Sequence, residues 1–204
     1  MPSPKASAGS LWLIAPYAAW MVLMQLLPAT AEGYAVRTAV TAAVLAVAAF
    51  ALRGEFRRFC PVRSFGWGVA VGLGVFAMWV WPERFELYRR WCILGDASVA
   101  AGSPYDPAVC GWPLTLVRLA GSAFVIAAAE ELFFRRWLIG FAGFWAMVAL
   151  FAIEHDRWLV GALCGAIYGW LYLRKGLAAA IAAHVTTNLT LGAWVIARGA
   201  WAYW

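Results

Sequence analysis

The sequence predicts an all-α polytopic membrane protein, with about seven transmembrane helices around a hydrophilic intramembrane pocket. Three observations carry this. Of 204 residues, 65% are hydrophobic and only 13% charged, whereas soluble domains run near a quarter charged. The apolar residues fall in runs approaching membrane-crossing length, broken by proline, glycine and arginine. Ionisable residues interrupt the C-terminal runs at helical spacing, a costly placement in lipid that marks function.

The expected helices are 11–27, 34–52, 65–81, 113–140, 143–155, 159–173 and 177–197. The first three, with a polar loop at 82–112, make an N-terminal part over 1–112. Residues 113–197 form the core that carries the polar positions, and 198–204 are a tail; all belong to one membrane domain. Pro28, Gly33, Pro61, Pro82, Pro113, Gly140 and Gly176 punctuate the breaks. Gly68, Gly72, Gly161, Gly165 and Gly169 recur at four-residue spacing, which lets helix backbones approach closely. No A-x-A-like site ends a short apolar region near the start, so a cleaved signal peptide is not expected. The net charge of +6 sits between apolar runs, the pattern of arginines flanking membrane helices, and does not indicate nucleic-acid binding. The arginines at 53–63 and the pair Arg174–Lys175 fall on one side, expected to be cytoplasmic. Arg37 and Arg118 lie within spans. Cys60, Cys92, Cys110 and Cys164 form no C-x-x-C. Cys92 and Cys110 share the 82–112 loop, where a disulfide and two free thiols are both open readings.

The chemistry concentrates in few residues. In A127-A-A-E-E-L-F-F-R-R-W137, Glu131 and Arg135 are i, i+4 neighbours that can pair, while Glu130 projects about 100° away and lacks a local partner. The chain has two histidines, His155 in F151-A-I-E-H and His184 in H184-V-T-T-N. Phe151 and His155 share a helix face, as do His184 and Asn188. Reversals at 140–143 and 174–176 bring Glu130, His155, His184 and Asn188 to a common depth, about 13–20 Å from those turns. The 143–155 run is short for a span, so His155 ends a helix inside the membrane, which is tolerated where it lines a cavity. A carboxylate, two imidazoles and a carboxamide around a wet pocket suit amide hydrolysis. Glu130 with His155 would take a proton from water, and His184 with Asn188 would donate to the oxyanion. Phe151 is a packing residue, and Glu154, Asp156 and Arg157 are an interfacial cluster.

E-E-L-F-F-R at 130–135, F-A-I-E-H at 151–155 and H-V-T-T-N at 184–188 together resemble the boxes of the CAAX prenyl protease family. These are glutamate-type intramembrane endopeptidases with abortive-infection-like bacterial relatives. The C-terminal sequence L-G-A-W-V-I-A-R-G-A-W-A-Y-W is most similar to the exosortase-associated bacterial branch. The resemblance implies a metal-independent protease in a bacterial inner membrane, acting on a membrane-tethered protein or peptide. It implies Glu130 and His155 as the water-activating pair, His184 and Asn188 as the oxyanion hole, and Glu131 and Arg135 in support. Arg136 stands where many members have glycine.

Rival chemistries find no support in the text: there is no H-E-x-x-H, Ser122 lacks a G-x-S-G context, and Gly95-Asp96 lacks G-x-G-D. Two alternatives stay open. One is zinc on Glu130, His155 and His184, a known type of catalytic ligand set. The other is a non-catalytic immunity or scaffolding factor, or a small transporter using the same polar residues.

Overall fold

A computed structural model describes residues 8–54, 62–86, 88 and 103–204. The described residues form seven helices. They are α1 (Ala8–Leu26), α2 (Ala31–Ala51), α3 (Phe65–Val80), α4 (Pro107–Ala142), α5 (Phe144–Ile153), α6 (Trp158–Lys175) and α7 (Leu177–Arg198). Helices α1, α2, α3, α4 and α7 are long and apolar enough to cross a membrane. α5 is too short to do so and folds back on α6, as the 143–155 run led us to expect. Large apolar side chains such as Leu26, Phe50, Trp145 and Ile153 stand exposed on the outer faces, where lipid replaces water as the solvent.

The reversals fall at Gly143 (φ +90°) and Gly176 (φ +86°), positions where a side chain would be strained. At the second, Ser64 Oγ donates to the Lys175 carbonyl over 2.8 Å, and Lys175 Nζ lies 5.1 Å from the Trp67 ring. The turn before α3 and the α6–α7 turn therefore share one end of the molecule, as expected.

One boundary is extended. The break expected at Pro113 is present at Gly111, two residues earlier, where the backbone leaves helical geometry. α4 starts at Pro107, because Asp106 caps it by accepting from Ala108 N over 2.8 Å and proline suits the first helical position. Gly111, at φ +79°, kinks the first turn. The polar loop is accordingly shorter than 82–112. Cys60 and Cys92 lie outside the described residues, while Cys110 is a free thiol 3.5 Å from Thr115 Oγ1.

The small-residue spacing does what was expected of it. A Cβ at Gly68 would lie 2.4 Å from the Ala179 carbonyl oxygen, and one at Gly72 2.5 Å from that of Ala183, so α3 and α7 pack backbone to backbone. On α6, Gly161 lies under His155, Gly165 under Phe151, and Gly169 under Met147 and Phe144. The N-terminal helices are packed onto the core: Tyr17 of α1 stacks on Phe133 of α4 with centroids 4.5 Å apart.

Candidate active site

α4 is not uniformly α-helical. It widens into π-helical turns over Gly121–Ile126 and Glu131–Leu138, on either side of the α-helical residues Ala127–Glu130. Such turns are rare and gather at functional sites.

Glu131 and Arg135 are both fully buried, with Arg135 Nε 3.1 Å from Glu131 Oε2. Charge attraction dominates that contact: the guanidinium nitrogens have no aligned hydrogen-bond acceptor among the described residues. Aromatic faces hold the rest of the group, with Arg135 Cζ 4.1 Å from the Phe151 ring and 5.4 Å from that of Tyr168. Phe151 therefore packs, as expected, but against a cation.

His184 bridges the two glutamates. Its Nδ1 lies 2.8 Å from Glu131 Oε1 and its Nε2 3.6 Å from Glu130 Oε2. A carboxylate only accepts, so Nδ1 carries the hydrogen in the first contact. Tyr168 stacks on the imidazole at 5.0 Å and donates its hydroxyl to Thr187 Oγ1 over 2.7 Å. Thr187 in turn lies 3.0 Å from the Gly72 carbonyl. The imidazole is thus fixed on one face and at one nitrogen. Glu130, which seemed to lack a partner and to look toward His155, has His184 beside it.

His155 follows the end of α5, and its Nδ1 is 2.8 Å from the Phe151 carbonyl. The carbonyl accepts, which assigns the hydrogen to Nδ1 and leaves Nε2 as a base. Asn188 Nδ2 donates to the Ser122 carbonyl over 3.0 Å, which sets the amide's orientation and leaves its second N–H unspent. Glu130, His155 and Asn188 all line a cavity of about 210 Å³, whereas His184 lies behind Glu130. A second cavity of about 190 Å³ shares His155, Trp79, Tyr203 and Trp204 with the first and adds Glu154, Asp156 and Arg157.

Several contributors were missed in the sequence. Residues 198–204 are not a loose tail: a turn at Trp201–Tyr203 brings Tyr203 and Trp204 over both cavities. Arg157 ties it down, pairing with Glu83, donating to the Ala202 carbonyl over 3.1 Å and lying 4.2 Å from the Tyr203 ring. Arg157 is therefore buried in a clamp, beside the Glu154 and Asp156 with which it lines the second cavity. Arg136 contacts Tyr172 near the end of α6. Arg37, buried on α2, sits 5.3 Å from the Trp20 ring and 5.6 Å from that of Tyr34. Only the C-terminal aromatics offered a signal for any of these.

The glycine under His155 makes a test. A Cβ at Gly161 would lie 3.1 Å from His155 Cβ, so the imidazole must give way. We expect Gly161→Ala to slow turnover about tenfold, since small misplacements of a reacting group are costly, with little change in melting temperature. An unchanged rate in a proteoliposome assay would separate His155 placement from activity.

Fold and site together define a polytopic helical membrane protein with a buried Glu–His–Arg cluster opening on an intramembrane cavity. Residues 112–190 match the family model described as type II CAAX prenyl endopeptidase Rce1-like. The match spans Glu130 through Asn188 and supports a CAAX-type intramembrane endopeptidase. No curated protein and no solved structure matches the chain.

Proposed function

We propose that this chain hydrolyses a peptide bond in a membrane-tethered protein or peptide, using water activated by Glu130 and His155. The observation that carries the reading is that Glu130, His155 and Asn188 open on one cavity while His184 joins both glutamates. Water in that cavity gives a proton to the Glu130–His155 pair as its oxygen bonds to the scissile carbonyl carbon. The oxyanion accepts from the unspent N–H of Asn188, and from His184 Nε2–H when the imidazole carries hydrogen on both nitrogens and Glu130 swings aside. The tetrahedral intermediate collapses by breaking the C–N bond, and the proton passes to the leaving amine. Glu131 and Arg135 hold His184 in register and balance charge.

On this reading the reaction needs no metal. Among the described residues no three His, Cys, Asp or Glu side chains are grouped to hold one ion. The substrate and the surrounding lipid are the partners, with no role for nucleic acid, and the location is a bacterial inner membrane. The C-terminal L-G-A-W-V-I-A-R-G-A-W-A-Y-W favours the exosortase-associated branch as the finer placement.

The test is to reconstitute the purified chain with membrane proteins from cells lacking it and to search for new termini by mass spectrometry, with and without a strong chelator. New termini that persist in chelator are the expected result. Their absence would favour the immunity, scaffolding or transport role, and their loss in chelator would favour zinc on Glu130, His155 and His184.

A further inference from the structure

Arg118, which is half-buried, lines the same cavity as Glu130, His155 and Asn188, and its surroundings differ from those of the buried arginines. Arg135 has Glu131 and Arg157 has Glu83. Arg37 is buried away from the cavity lining. Arg118 instead has three aromatic rings around it, with its Cζ 4.5 Å from Tyr34, 4.9 Å from Tyr105 and 5.4 Å from Trp204. Among the described residues it forms no ion pair; the Tyr34 hydroxyl is a neutral polar neighbour of the guanidinium, and its Nε is buried without a hydrogen-bond partner. Ring faces stabilise a cation but accept none of its in-plane N–H donors. A guanidinium in a membrane cavity, caged by rings and lacking an acid, is matched by an anion with two oxygens in one plane.

We propose that Arg118 is a specificity-determining residue that binds a carboxylate of the substrate, either its C-terminal α-carboxylate or an acidic side chain. This rests on the peptidase reading and adds where the charge must lie. Arg118 is one helical turn before Ser122, the residue whose carbonyl holds Asn188. The four residues from Arg118 to Ser122 rise about 6 Å, and an extended peptide advances about 3.3–3.6 Å per residue. The carboxylate therefore lies about two residues from the bond held at Asn188.

The test uses N-acylated apolar peptides in zwitterionic vesicles: one with a free C-terminal carboxylate, its C-terminal amide, and the amide with an aspartate two residues from the cleaved bond. Cleavage is measured for wild type, Arg118→Gln and Arg118→Lys. Binding of the same three peptides is measured on Glu130→Gln, with and without Arg118→Gln. At least one carboxylate peptide is expected to exceed the plain amide by about tenfold or more in kcat/KM and in affinity, and which one does so identifies the source. Arg118→Gln should erase that preference, measured as the ratio of carboxylate peptide to plain amide for each variant, and Arg118→Lys should restore part of it. Equal handling of all three peptides by wild type, or a preference that survives Arg118→Gln, would overturn the proposal. So would a dependence that appears only when phosphatidylglycerol is added, which would assign the site to lipid phosphate. If Arg118→Gln fails to fold, the comparison of peptides on wild type still decides. Failure of the peptidase reading is distinguishable, because cleavage would then be absent for every peptide while the binding arm remains readable.

Discussion

Replacing Glu130 by glutamine is expected to lower the cleavage rate at least about a thousandfold while leaving the melting temperature in detergent within a few degrees. General-base groups contribute about 10²–10⁴ in rate, and glutamine keeps the side chain's shape and its acceptor toward His184. The neighbouring glutamate gives the contrast. Glu131 has no exposed side-chain surface, whereas the Glu130 side chain retains 15% and lines the cavity. A Glu130→Gln variant that cleaves the cognate substrate at the wild-type rate would remove this residue from the reaction. It would also shift the choice of base to His155, which lines the same cavity.

The largest effect on stability should come from the other half of the cluster. Arg135→Leu leaves Glu131 buried without its cation, and breaking a buried pair in this way costs about 3–5 kcal/mol. His184 lies 2.8 Å from Glu131 and remains a hydrogen-bond donor to it. Glu131→Leu combined with Arg135→Leu removes both charges, and apolar replacements of buried pairs are often neutral. The double variant is therefore expected to recover most of the lost stability, measured by thermal unfolding in detergent, yet to stay slow in cleavage because His184 has lost its anchor. Full activity in the stable double variant would show that the anchor does not matter.

Much of this architecture was legible because membrane helices declare themselves by length and apolarity. The ends at Gly143 and Gly176 were readable since glycine there allows the positive φ that each turn uses. The Glu131–Arg135 pair was legible from spacing alone. What spacing could not convey was the third partner. Whether Glu130 meets His155 or His184 depends on how α7 rotates against α4, and the π-helical turns of α4 alter that rotation without leaving a mark in composition. The Trp201–Tyr203 turn was also hidden. Its position depends on Arg157 reaching Glu83 and the Ala202 carbonyl, contacts between residues far apart in sequence. The aromatic cage of Arg118 is assembled from α2, α4, the segment before α4 and the C-terminal turn, so no local pattern could reveal it.

The pairing of Glu131 with Arg135 on one helix has a bearing on biogenesis. A helix entering the bilayer alone with an unmatched carboxylate would carry a large insertion penalty. α4 brings the opposite charge four residues along, so it can cross as a locally balanced unit before α7 has been synthesised. Helices α5 and α6 are joined by a short turn and lock through Gly161, Gly165 and Gly169, contacts close in sequence and fast to form. His184 and Asn188 come last, on the final helix. The order of synthesis thus delays the complete polar cluster until α4, α5 and α6 are in place, and the Trp201–Tyr203 turn closes over it afterwards.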